Sequence, residues 1–210
     1  EEAKINTPED SFHWGIGMLH QDPQDFPPLR VMDNFILGQK GGIRLGTRQA
    51  RQHLLELQQK LGFHINPDTY VENLTVGERQ QLEILRLLYL GAKVLILDEP
   101  TTGISEEQKR NIFQALKQLA AEGKTVLFVS HKLEEVEELC SQVVVLRQGK
   151  VAGEARPPYQ TRDLVRMMFG REVKTAERCS CKGGTVQVEL NQLSVEDARL
   201  HIRNVNLQVC

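Results

Sequence analysis

A chain of 210 residues with a formal net charge of -2 lacks the basic excess of a protein built to coat nucleic acid or an anionic membrane. Its 40 % apolar and 26 % charged residues suit a globular protein of one domain and a piece of another. No run approaches the ~20 apolar residues that span a bilayer, and the opening Glu-Glu-Ala-Lys is no secretory signal. The expected setting is therefore the cytoplasm, with any membrane contact made through a partner.

Residues 1–30 read as irregular, with Pro23, Pro27 and Pro28 among them. Residues 49–62 and 77–92 read as helices, the second carrying Leu82, Leu85, Leu88 and Leu90 near helical spacing. Val94 to Leu97 is a short apolar run of the kind that forms a fully buried strand in a parallel sheet. Ser105 through Glu122 is a helix with a capping box, Ser105 answered by Gln108 three residues on, an apolar face of Ile112, Phe113, Leu116 and Leu119, and Gly123 to close it. Thr125 to Val129 reads as a second buried strand, and Leu133, Val136 and Leu139 line a short helix. Val143 to Leu146 and Lys150-Val151 flank Gln148-Gly149, a hairpin signal. Thr161 to Phe169 is the last helix of this part. Alternating strands and helices predict an α/β sheet.

Composition changes near residue 171. A polar, glycine-containing stretch follows, and then Val186 to Leu190 and Leu200 to Val209 alternate as two half-buried strands. Of the four cysteines, Cys179 and Cys181 form a CxC, while Cys140 and Cys210 stand alone. A zinc site needs a second pair or added histidines, so reduced thiols are expected.

The chemistry-bearing residues stand at element ends. Asp98-Glu99 follows the first buried strand, where open α/β sheets place their ligands. There Asp98 suits Mg²⁺, which keeps several waters and accepts few protein carboxylates, and Glu99 suits a general base acting on water. The plainer reading is a solvated strand end. Leu74-Thr75-Val76-Gly77-Glu78 opens a helix, with Thr75 23 residues before Asp98. A helix start attracts phosphate through free N–H groups and the dipole, and a glycine lets the backbone come close. The plainer reading there is a capped helix with Thr75 as cap. Ser130-His131 follows the second strand, and Gln21 precedes the proline-containing loop.

In that order, Gln21, Leu74 to Glu78, Asp98-Glu99 and His131 resemble the Q-loop, signature, Walker B and switch histidine of the ABC ATPase family, over about residues 15–170. The runs Gly15 to Gln21, Leu74 to Glu78 and Met167 to Val173 look like those of the tandem ATPases of simple-sugar and nucleoside importers. The resemblance implies a fold class: an α/β chain, a partial nucleotide-binding domain with a P-loop NTPase core. That domain would take residues 1–172, with a helical subdomain at about 31–92, a linker at 173–184 and the opening strands of a second such domain at 185–210.

It also implies ATP and Mg²⁺ as cofactors. Glu99, His131 and Gln21 would be catalytic, Asp98 and Gln21 would face the metal, and Leu74, Thr75, Val76, Gly77 and Glu78 would cap the ATP held by another domain. The implied partners are transmembrane permease subunits, a second nucleotide-binding domain and, indirectly, a solute-binding protein, at the cytoplasmic face of the plasma membrane. No nucleic acid is expected.

Three features depart from the family pattern. No G-x-x-x-x-G-K-[ST] occurs, Gln81 replaces a common Arg, and Thr101 to Ser105 lacks the usual Asp. The 210 residues alone are accordingly expected not to hydrolyse ATP. The alternatives are a non-catalytic ABC-type fragment and a soluble ABC protein of repair or translation.

Overall fold

Three short strands, β1 (Ile16–Leu19), β2 (Val94–Asp98) and β3 (Thr125–Val129), lie parallel in the order β1-β2-β3. This is the frame of the computed structural model, which describes residues 5–38, 47–171, 186–197 and 200–209. The chain divides into two compact units, Glu1–Arg171 and Glu172–Cys210. The linker expected at 173–184 lies outside the described residues, as do Cys179, Cys181 and Cys210.

The first unit departs from expectation at its start. Residues 1–30 are not all irregular: α1 (Pro8–His13) precedes β1. Thr7 caps α1 in a capping box with Asp10, and Pro8 occupies the first turn, where its missing N–H costs nothing. β1 was hidden because it is only four residues long and contains Gly17. That glycine is required by packing. A Cβ there would lie 2.9 Å from Leu87 Cδ2, so its absence lets the sheet close onto α4 (Val76–Tyr89).

Between β1 and β2 the chain is helical. α2 (Val31–Ile36) and α3 (Thr47–Leu61) precede α4, with a 3₁₀ turn at Val71–Asn73. Phe35, Leu54, Phe63, Leu82, Leu85 and Leu97 are fully buried members of one core spanning these helices and β2. Burial of each such side chain contributes about 1.5–3 kcal/mol, which fixes α4 against the sheet.

β2 leads through a loop to α5 (Glu106–Ala121), capped by Ser105 and Gln108 as the sequence predicts. After β3 come α6 (Leu133–Leu139), the antiparallel pair β4 (Val143–Arg147) and β5 (Lys150–Ala155), and α7 (Thr161–Phe169). Gln148 and Gly149 both take positive φ, 51° and 73°. Those angles match the twist of a two-residue hairpin turn.

The expectation of two fully buried strands needs correction. β2 buries Leu95 and Leu97 completely but leaves Val94 and Ile96 half-buried. β3 is an edge strand, with Leu127 55 % and Val129 45 % exposed. Among the described residues it pairs only with β2, so one side of the strand and part of one face lack cover.

In the second unit, β6 (Val188–Asp197) and β7 (Leu200–Val209) form an antiparallel pair. They are strands, as predicted, but their described side chains are largely exposed rather than half-buried. A two-stranded ribbon has no second layer of its own to cover its apolar residues.

Candidate functional site

The strand register gathers three of the predicted groups at one edge. Leu19 of β1 pairs with Leu97 of β2, and Asp98 pairs with Val129 of β3. Gln21, Asp98-Glu99 and Ser130-His131 therefore all follow the same ends of adjacent parallel strands. Gln21 is exposed on the loop beyond β1, and Asp98 is half-buried.

Glu99 has a backbone seldom adopted by residues other than glycine, with φ at 46°. Such a conformation costs roughly 1–3 kcal/mol and persists only where neighbours enforce it. Here the Glu99 N–H donates to the Val129 carbonyl at 2.9 Å, and the Thr102 N–H donates to the Glu99 carbonyl at 3.1 Å. The turn brings the side chain to His131, whose Nδ1 lies 2.8 Å from Glu99 Oε1. Thr102 Oγ1 donates to the other carboxylate oxygen at 3.3 Å. The hydrogen bond from His131 is the main cause that holds the Glu99 carboxyl below its ordinary range, with Thr102 and the Lys132 charge adding to it.

Beneath this edge a polar cluster anchors the loop. Thr101 is buried and donates to the buried Glu135 carboxylate at 2.7 Å. Glu135 also accepts from Ser130 Oγ at 3.2 Å and pairs with Lys132 at 3.2 Å. Glu135 thus ties the segment after Glu99 to the segment around His131. Nothing in the local sequence singles it out.

Leu74, Thr75, Val76, Gly77 and Glu78 form the start of α4. Thr75 is the N-cap, and the Glu78 carboxylate accepts from Thr75 N at 2.8 Å, completing a capping box. The plainer reading of Thr75 is thus realised in the fold, and it leaves the neighbouring Val76 exposed. Gly77 is buried beneath the Gln108 side chain, and a Cβ on Gly77 would come within 2.5 Å of the Gln108 amide. Among the described residues, no hydrogen bond joins this group directly to Asp98, Glu99 or His131.

One ion pair was not visible from the sequence. Arg79 on α4 donates through Nε to Asp25 Oδ2 at 2.6 Å and through a terminal nitrogen to the other oxygen. The Asp25 side chain has no exposed surface, whereas Arg79 retains 27 %. This bidentate pair ties the loop after Gln21 to the helix that starts at Thr75. Gln81 of the same helix is buried.

The parallel sheet with its carboxylates and histidine at one edge, beside a capped helix start, belongs to a chain with known relatives. An ABC transporter family model matches residues 1–102. The chain belongs to the ABC transporter family. The nucleoside import ATP-binding protein NupA of Lactococcus lactis subsp. cremoris is 32 % identical over 98 % of this chain and 42 % of its own length. The ribose import ATP-binding protein RbsA of Caldanaerobacter subterraneus is 35 % identical over 83 % of this chain and 36 % of its own length.

This ABC chain thus spans less than half the length of those relatives. The crystal structure of a nucleotide-free ATP-binding cassette from an ABC transporter superposes with a TM-score of 0.62 at 23 % identity, covering 72 % of this chain and 64 % of that one. That likeness bears on the fold alone. The mixed α/β cassette fold expected from the sequence is the one observed, in part.

Proposed function

We propose that the chain is part of an ATP-hydrolysing subunit that energises an importer of simple sugars or nucleosides. The observation that carries this reading is the Glu99–His131 contact beside Asp98 at the end of three parallel strands. The relatives named as ribose and nucleoside import proteins support the substrate class. No observation favours a soluble repair or translation protein.

The donor set at this edge suits Mg²⁺-ATP. Asp98 and Gln21 offer hard oxygens, few in number, as Mg²⁺ prefers. Bound there, the metal would neutralise phosphate charge. Glu99 is ionised at physiological pH as any glutamate of ordinary pKa is, and the lowering by His131 weakens it as a base. With ATP bound, it would orient the attacking water and act as its general base, while His131 would hold the carboxylate toward the γ-phosphate.

The phosphate-binding loop must come from outside these 210 residues, which contain no G-x-x-x-x-G-K-[ST]. A cleft of about 940 Å³ offers it a seat: Val126 and Phe128 of β3 and Val145 of β4 line it, and it reaches Glu99 and His131. Leu74 to Glu78 would cap the nucleotide of a second nucleotide-binding domain, and residues 185–210 would open that domain beyond a linker at 173–184.

The test is steady-state ATP turnover. The full-length protein should hydrolyse Mg²⁺-ATP and the isolated 210 residues should not, since Asp98 and Glu99 alone repel a triphosphate. Tight ATP binding with turnover by the isolated chain would refute the assignment of the phosphate loop.

The subunit would sit at the cytoplasmic face of the plasma membrane, in contact with transmembrane permease subunits and, through them, with a solute-binding protein. No helix among the described residues is long and apolar enough to cross a membrane. Phe26 is the candidate contact. The residue is 54 % exposed, while its backbone is clamped by the buried Asn34, which accepts from Phe26 N at 2.8 Å and donates to its carbonyl at 3.1 Å. An apolar ring presented on a fixed backbone suits a partner surface better than a core. Phe26→Asp should leave the unfolding midpoint near that of the unaltered protein and weaken co-purification with the permease subunit. Normal co-purification, or unfolding of the variant, removes Phe26 from this role.

A further inference from the structure

Gln108 joins two helix starts. Its Nε2 donates to Thr75 Oγ1 at 2.8 Å, across a separation of 33 residues. Its Oε1 accepts from Ser105 N at 3.2 Å, and its own N–H donates to Ser105 Oγ at 3.2 Å. One side chain thus completes the cap of α5 and holds the cap of α4.

The chemistry of the Thr75 end is restrictive. The Thr75 hydroxyl already gives its single proton to Glu78 Oε2 at 2.8 Å. It can meet Gln108 only as an acceptor, so a donor is required there. A carboxylate at position 108 would face lone pairs and the Glu78 charge. Gly77 makes the room, since a Cβ on it would stand 2.5 Å from Gln108 Cδ.

The Ser105 end belongs to the loop that leaves Glu99. Thr102 on that loop contacts Glu99 through its hydroxyl at 3.3 Å and through its N–H at 3.1 Å. Gly103 adds a second approach: a Cβ on it would lie 3.9 Å from Val76 Cγ1. A short path of hydrogen bonds and backbone therefore runs from His131 and Glu99, through residues 102–105 and Gln108, to Thr75.

We propose that Gln108 is a positioning residue that couples the start of α4 to the loop carrying Glu99. The proposal rests on the ATPase reading above. In that reading Thr75 and Gly77 serve the nucleotide of the opposite domain, and Glu99 serves its own. Gln108 touches no reacting atom. It sets the Thr75 cap in register with the Glu99 turn, so that closure of one site is felt at the other within a single domain.

Gln108→Glu separates this role from a structural one. Glutamate keeps the acceptor for Ser105 N–H and is itself favoured at the third position of a capping box, so α5 stays capped. At Thr75 the donor is lost, and the new charge meets the lone pairs of Thr75 and the Glu78 carboxylate instead.

In the full-length protein, kcat for ATP hydrolysis should fall about tenfold, with KM and the thermal midpoint near those of the unaltered protein. In a Thr75→Val background the same change should have little further effect. Unchanged kcat in Gln108→Glu overturns the proposal. So does a kcat that falls only in step with the thermal midpoint, or an undiminished effect in the Thr75→Val background. Absence of turnover in the unaltered protein would overturn the ATPase reading and the proposal together. Turnover that Glu99→Gln abolishes and Gln108→Glu leaves alone would overturn the proposal by itself.

Discussion

Glu99→Gln in the full-length protein should slow ATP hydrolysis on the order of 10²–10⁴-fold, the usual worth of a positioned base, and leave ATP binding in place. The substitution is clean. A Gln side chain can still meet His131 Nδ1 and Thr102 Oγ1, which lie 2.8 and 3.3 Å from the carboxylate. The backbone turn at φ 46° is held by Val129 and Thr102 main-chain bonds that the change does not touch. Folding should therefore be unaffected, and the loss should appear in kcat.

The pH dependence follows from the sign of the shift. His131 lowers the Glu99 pKa, so the ionised form persists below the ordinary glutamate value of about 4.3. The carboxylate is lost only as pH falls through that depressed value. A turnover profile that loses activity above pH ~5 therefore reports a different group. Hydrolysis at a near-normal rate in Glu99→Gln would remove Glu99 from the base role.

Arg79→Leu should destabilise the fold by about 3–5 kcal/mol, because it leaves a buried carboxylate without its partner. The Asp25 side chain has no exposed surface, and both of its oxygens are engaged by the Arg79 guanidinium. The nearby Glu83, whose pKa burial already pushes upward, would lose a favourable charge as well.

Asp25→Ala should cost less, since Arg79 keeps some access to water. The double variant should recover part of the Arg79→Leu loss. Arg79→Lys should also be destabilising, because an ammonium cannot repeat the two-point contact. Urea unfolding of each variant measures these differences. A loss below about 1 kcal/mol for Arg79→Leu would mean that the pair is screened as a surface pair is.

Much of the fold was legible because its signals are local. The Ser105–Gln108 capping box announced α5, Gln148-Gly149 announced the β4–β5 turn, and the apolar run before Asp98 announced β2. α1 carries an equally local signal, Thr7-Pro8-Glu9-Asp10, but it is short and stands among residues that otherwise read as irregular. The register then placed Gln21, Asp98-Glu99 and His131 at one edge, as an α/β sheet requires of residues that end adjacent parallel strands.

By itself, then, the sequence determined the family and, from α3 onward, most element types and their order, while α1, β1 and α2 escaped it; propensity, capping and motif spacing act over a few residues. Tertiary structure alone decided which side chains meet. The Glu99–His131, Gln108–Thr75 and Arg79–Asp25 contacts span 32, 33 and 54 residues. It also decided that β3 is an edge strand rather than a buried one. Burial and pairing depend on what lies beside an element in space, and an apolar run of five residues reads the same whether one or both of its sides are covered.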